Sequence, residues 1–328
     1  MSSKLFLRAS VLLAAVLAFS TPSAAQELKP WRHGVLEAKS DAGFVFMASK
    51  GGFAEKQGLK LEMMQFKGDA LALRALLAGE IDSYEGSPGS PMIAASRGAE
   101  LKILGCYWPV LNYGIFSKSS IASPKELKGK SFAISSPGSL PDLLVRAVLD
   151  QNNISGDDVN FAVMGSDTDR YKALTAGVVD AAAASTEFVP FASQSNVKLL
   201  VHAKEAVPNY LRFCLYTGNK TLAQRNDDIT RFLAAQITAL RYALDNRDKT
   251  VALAKEMSEA KADDPRAAYI FDEVKQFSSI TPDIPVPLEK LNWMQDLLVR
   301  TGNLAKPFAL KSMVDTGARE KALVLAGK

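Results

Sequence analysis

The sequence predicts an α/β protein of two similar lobes, and three observations carry that prediction. A corner made of a helix end, a glycine stop and a strand start occurs twice, 98 positions apart, and strands alternate with helices around each copy. Two extended segments, 113–117 and 210–217, divide the chain into three blocks. In the corner, Ala75, Leu76, Ala78, Gly79 and Asp82 align with Ala173, Leu174, Ala176, Gly177 and Asp180. Each copy reads as an apolar helix stopped by a glycine suited to the left-handed conformation, then a short strand opening through an aspartate.

Residues 1–25 read as an export leader: Lys4 and Arg8 precede the apolar run 11–19, and Ser23, Ala24 and Ala25 supply small residues for cleavage. The mature chain is expected to begin at Gln26. Neither cysteine, Cys106 or Cys214, stands at the cleavage point, so a lipid anchor is not expected. A first strand at 31–37 is followed by a helix at 44–49, with Ser40 or Asp41 as its N-cap. A glycine break, an amphipathic turn and a strand at 59–66 then lead to Asp69, a second N-cap candidate, and a helix at 70–78. The first corner continues into a strand at 81–84, the loop 85–88, a helix at 92–97 and a strand at 101–106.

The pattern restarts after 113–117, with a helical turn at Ser123 and Pro124, a strand at 131–135 and a helix at 140–151. A strand at 159–163, a helix at 170–176, the second corner with its strand at 178–184, and a strand at 197–202 complete four units matched to four. Beyond 210–217 only helices are expected, at 229–246, 250–260, 265–277 and 288–301. The simplest path places lobe 1 at 26–112, a hinge strand at 113–117, lobe 2 at 118–209, a second hinge strand at 210–217, and a returning helical part of lobe 1 at 218–328.

With 328 residues, 48% hydrophobic and 23% charged, the composition supports two ordinary cores. Loss of Lys4 and Arg8 takes the formal charge from +4 to +2, and the remaining basic residues are scattered, so neither nucleic acid nor a membrane surface is an expected partner. Cys106 and Cys214 lie 108 positions apart, and whether they pair stays open at this level.

Strand ends in each lobe deliver loops rich in Ser, Gly, Asp and Thr to helix N-termini, where backbone N–H groups are unpaired. Ligands in open α/β sheets sit outside the carboxyl ends of the strands, so two facing lobes would hold a solute between these loops. The candidate ligand-binding residues are Ser40, Asp41, Asp69, Glu85, Ser87, Tyr107 and Trp108 from the first lobe, and Ser136, Gly138, Ser139, Asp167, Thr168 and Glu187 from the second. Glu85 and Glu187 follow strand ends of the repeated corner, away from cap positions, while Tyr107 and Trp108 offer stacking surfaces for a flat ligand. No catalytic set is read: His33 and His202 are the only histidines, each within a strand pattern and neither at nucleophile-elbow or metal-ligand spacing. No cofactor fingerprint and no metal site are read either.

The leader, the segments ASKGGFAEKQGLKLEM, ALLAGEID, SPKELKGKSFAI and ALTAGVVDA, and the late GNLAKP occur in this order. In that ordered set the chain resembles periplasmic solute-binding proteins of ABC importers, in the branch that serves nitrate, sulfonates, taurine and thiamine-precursor pyrimidines. The resemblance implies the type II two-lobed fold with a two-strand hinge, one small-molecule solute, a membrane permease with its ATPase as partner, a monomeric state and no catalysis. It does not imply which solute. Pyrimidine-synthesis enzymes of similar fold carry a cysteine-rich motif absent here, and regulators of similar fold follow a helix-turn-helix segment where this chain has a leader. A periplasmic sensor subunit docking on a membrane receptor is the remaining alternative. The five carboxylates Asp41, Asp69, Glu85, Asp167 and Glu187, beside Tyr107 and Trp108, favour a solute bearing N–H or ammonium donors over an anion, whereas the loop at 136–139 would suit a sulfonate.

Overall fold

The computed structural model describes residues 27–327; the leader expected at 1–25 lies outside them. Ten strands form two five-stranded sheets. The first contains β1 (Lys29–Leu36), β2 (Leu59–Phe66), β3 (Ser83–Gly86), β4 (Leu101–Trp108) and β10 (Phe213–Gly218), in the order β2-β1-β3-β10-β4. The second contains β5 (Tyr113–Lys118), β6 (Ser131–Ile134), β7 (Asn160–Val163), β8 (Ala181–Ser185) and β9 (Val197–His202), in the order β7-β6-β8-β5-β9. The expected mixed α/β class with two like lobes is therefore the observed one. In each sheet three strands pair in parallel, and the strand inserted next to them runs antiparallel to both its neighbours. Those inserted strands, β5 and β10, are the two extended segments, so the strands expected as hinges at 113–117 and 210–217 lie mostly within the sheets, and the chain crosses between sheets at 109–112 and 203–212.

The repeated corner performs the same task twice. Gly79 and Gly177 both adopt φ of 76°, and the residue after each donates to the carbonyl five positions back, Glu80 to Ala75 and Val178 to Ala173. Asp82 then accepts the backbone N–H of Arg32 in β1 at 2.8 Å, and Asp180 accepts that of Ser131 in β6 at 3.0 Å. Each corner aspartate thus ties its strand to the neighbouring parallel strand. That bond explains why the aspartate belongs to the motif.

Packing follows strand alternation. In β10, Phe213 and Leu215 face a core shared with Ile229, Phe232, Leu233 and Ile237 of the helix Asn226–Asp245, while Cys214 and Tyr216 face a second core. The second core joins the lobes, because it also takes Leu143 and Leu144 of the helix Leu140–Gln151 and Leu291, Met294 and Leu298 of the helix Leu288–Arg300. Cys106 of β4 and Cys214 of β10, adjacent in register, are joined by a disulfide.

Some local expectations are corrected. The helix expected at 44–49 is two single turns, Ala42–Val45 and Met47–Lys50, and Asp41 makes no capping bond to the first. Gly68 rather than Asp69 is the N-cap of the next helix, and Asp69 is its first residue. The third strand extends to Gly86, which places Glu85 inside the sheet and not in a loop after it. Among the described residues no helix is long and apolar enough to cross a membrane.

Candidate functional site

A cavity of about 130 Å³ lies between the two sheets. Its walls are the segments that follow β1 (36–39), β2 (66–69) and β3 (Ser87), the residues at the start of β10 (Arg212 and Phe213) and β5 (Tyr113), and the segments after β6 and β7. These are the carboxyl ends of the parallel strands of both sheets, where an α/β fold leaves backbone groups and loops free to meet a ligand. Of the candidate residues, Asp69, Ser87, Ser139, Asp167 and Thr168 line this cavity, and Asp41 and Glu85 line a small recess beside it. Ser40, Tyr107, Trp108, Ser136, Gly138 and Glu187 line neither.

Each displaced candidate has other work. Trp108 is fully buried; its Nε1 donates to Asn112 at 2.7 Å, and its ring backs the Arg212 guanidinium, whose carbon stands 4.1 Å from the ring centroid. Tyr107 is buried too, donating its hydroxyl to Glu85 at 2.7 Å inside the sheet. The expected stacking of a ligand on this pair is therefore corrected: both rings belong to the core beneath the site. Glu187 accepts the Ser40 backbone N–H at 3.1 Å across the two lobes, and burial pushes its carboxyl above the usual range. At 136–139 the donors are consumed locally, because Ser136 N–H meets Ser139 Oγ at 3.3 Å and Gly138 N–H meets Asp142 Oδ2 at 2.7 Å. The loop expected to cradle a sulfonate has spent those two donors on itself.

The charges of the wall are mostly paired. Asp167 accepts from Lys39, from Tyr113 OH at 2.5 Å and from Arg170. Burial would raise the Asp167 carboxyl, but the Lys39 and Arg170 charges win and hold it well below the usual range. Burial likewise opposes the Lys39 ammonium, and the charge of Asp167 overrides it and raises that group. Arg170 spends its other nitrogens on the carbonyls of Ala183, at 2.8 Å, and Gly165.

Three groups in the wall, Arg212, Asp69 and the Ser87 hydroxyl, have buried polar atoms with no hydrogen bond of normal geometry among the described residues. Arg212 is 1% exposed and donates from Nη2 to Asp41, while its Nε and Nη1 have no hydrogen-bond partner among the described residues. Asp69 is buried and accepts from Tyr84 at Oδ1, while its Oδ2 has no hydrogen bond of good geometry. Burial pushes the Asp69 carboxyl up to about 6, against the opposing influence of Ser90 and Tyr84. Buried polar groups left unpaired are rare enough in folded proteins that each asks for a partner, and here all three border the same cavity.

Neither Lys39 nor Arg212 was among the residues expected from sequence. Lys39 directly precedes Ser40 and Asp41, and Arg212 is the single charge in the apolar run from Tyr210 to Tyr216. A cation in a run destined for burial needs a partner, and that was the available signal.

A family model described as NMT1/THI5 like matches residues 39–250. A chain of Brucella abortus (strain 2308), named no further than as a binding protein, is 24% identical over 292 residues, covering 85% of this chain and 88% of its own. The periplasmic nitrate-binding protein NrtA from Synechocystis PCC 6803 superposes with a TM-score of 0.77 at 15% identity, over 92% of this chain and 90% of its own. The alkanesulfonate-binding protein SsuA from Xanthomonas axonopodis pv. citri, bound to MOPS, gives 0.75 at 18% identity, over 89% and 99%. At such identities these structures establish a shared binding-protein fold and leave the ligand open. The family model covers more than half the chain, from the first cavity loop past the second inserted strand and the helix Asn226–Asp245, so this protein belongs to the NMT1/THI5-like family.

Proposed function

We propose that this chain is the solute-capturing component of an ABC importer, exported to the periplasm, which closes two lobes over one compact solute and hands it unchanged to a membrane permease with its ATPase. The observation that carries the proposal is the cavity itself, walled by strand ends of both sheets and reached by one crossing out of the first sheet and one crossing back. Closure about 109–112 and 203–212 would open and seal it, since hinges concentrate change in a few residues between rigid bodies. The family and the binding-protein fold of its neighbours support the role. A cavity of about 130 Å³ suits a solute of roughly benzene's size.

The wall favours a solute that brings N–H or ammonium donors. Three helices begin at the cavity, Asp69–Ala78, Leu140–Gln151 and Asp167–Thr175, and each carries a carboxylate in its first turn: Asp69, Asp142 and Asp167. Those charges occupy the positive helix ends that would otherwise attract an anion. Mass spectrometry on protein taken from the periplasmic fraction is the direct test. A mature N-terminus near Gln26 and a small nitrogenous solute released unaltered on denaturation are expected; retention in the cytoplasm, or a solute converted on incubation, would sink the proposal.

Asp69→Asn separates binding from stability. Because the folded-state carboxyl titrates near 6 and an unfolded one near ~3.9, the folded chain holds this proton more tightly, so the group's stability cost is absent below about pH 4 and complete above about pH 6. The variant should therefore be more stable than the parent without ligand at pH 7, by roughly 2–3 kcal/mol, with the gain gone by pH 4. Its affinity for a donor-bearing solute should fall at the same time. Urea melts at the two pH values check the first expectation, and equal stability at both would show that Asp69 is not destabilised by its burial.

A further inference from the structure

We infer that the solute is an amino carboxylate, its acid group seated on Arg212 and its ammonium group on Asp69; this rests on the capture role proposed above. Arg212 is the buried cation of the wall with N–H groups to spare. Lys39 is committed to Tyr113 and Asp167, Arg170 to two carbonyls and Asp167, and Lys67 is exposed at the rim near Glu37. The Arg212 guanidinium is held in place by Asp41 on one nitrogen and by the rings of Trp108 and Phe213, at 4.1 and 4.7 Å. A side chain fixed in this way loses little freedom when an anion docks on its remaining donors.

The complementary end is Asp69, the buried carboxylate lining the cavity, which takes Tyr84 on Oδ1 and otherwise meets only the side chain of Ser90. Both anchors belong to the first sheet's side, Asp69 after β2 and Arg212 before β10. A solute bearing both charges would settle on that wall first and be covered by Ser139 and Thr168 of the other side.

The donor inventory favours the acid group with fewer oxygens. A sulfonate presents three oxygens in a tetrahedral arrangement and needs donors on several sides, but Gly138 N–H and Ser136 N–H are already bonded within their own loop. A carboxylate presents two oxygens and asks less of a wall whose uncommitted donors are Arg212 Nε, Arg212 Nη1 and Ser87 Oγ; with Nη2 on Asp41, each remaining Arg212 N–H meets the acid group singly. A neutral base or a simple amine would leave those nitrogens buried and unpaired, which is costly.

The test is isothermal calorimetry on the mature chain after its carried-over solute has been removed by unfolding and refolding. The probes are glycine, β-alanine and 4-aminobutyrate, with taurine as the sulfonate counterpart of β-alanine, and propylamine and propionate as compounds lacking one end. At least one amino carboxylate should bind, removal of either end should weaken binding by tenfold or more, and taurine should bind less tightly than β-alanine. Asp69→Asn, a variant expected to fold well, should reproduce the loss for the amino carboxylates and spare propionate. Taurine or propylamine binding as tightly as the amino carboxylates would overturn the assignment, as would silence from all six probes. Thermal stabilisation by nitrate, an alkanesulfonate or an aminopyrimidine would in that case leave the capture role standing, whereas no stabilisation by any of these classes would remove the capture role as well.

Discussion

Replacing Asp41 by alanine is expected to destabilise the protein by roughly 3–5 kcal/mol, because it strands a buried charge. Arg212 is 1% exposed and Asp41 5%, and the carboxylate is the partner of the guanidinium's Nη2. Without Asp41 the guanidinium keeps the rings of Trp108 and Phe213 but loses its counter-charge, and a guanidinium cannot shed its proton to relieve the burial. Removing both partners should cost less than removing Asp41 alone, since Asp41→Ala with Arg212→Met leaves no ion behind. Guanidinium melts of the single and double variants measure the difference. If the double variant is the less stable by the sum of two independent losses, the pair is not coupled as described. An added amino carboxylate should restore part of the single variant's stability, because its acid group supplies the missing charge.

Loss of the Cys106–Cys214 disulfide should be comparably damaging. The bond closes a loop of 108 positions that contains the whole second sheet, β5 to β9. By the chain-entropy account, constraining a loop of ~100 residues is worth about 4.7 kcal/mol, and removing native disulfides typically costs about 2–5 kcal/mol. Both cysteines are fully buried in adjacent strands, so a Cys106→Ala, Cys214→Ala variant also loses packing in the core that joins the lobes. The denaturant midpoint of this variant should fall, and the parent should show the same fall in reductant. An unchanged midpoint in both comparisons would mean that the paired strands already supply all the constraint. Because β10 begins directly after Arg212, solute affinity should weaken alongside stability.

The parts legible in sequence were those set by local backbone chemistry. A glycine able to take φ of 76° at a helix end, followed by an aspartate that reaches the next strand, announces itself twice without reference to the rest of the chain. Period-two and 3.6-residue patterns likewise marked the strands and the late helices, because burial of one face imposes that spacing wherever the element lies. Even the loops at the cavity were foreseeable, since strand ends in such sheets open on one side; Asp69, Ser87, Ser139, Asp167 and Thr168 follow from that alone.

Tertiary structure decided what faces what. Arg212 and Asp41 are 171 positions apart, Lys39 and Asp167 are 128 apart, and no local pattern specifies either pair. The insertion of β10 as an antiparallel strand beside β4 brought Cys106 beside Cys214, and Trp108 packs beneath the site, against Arg212, instead of in it. Sequence established which residues could bind a solute, because that depends on side-chain chemistry. Which of them have capacity left to do so depends on the partners each meets across two lobes, and only the folded chain brings those partners together.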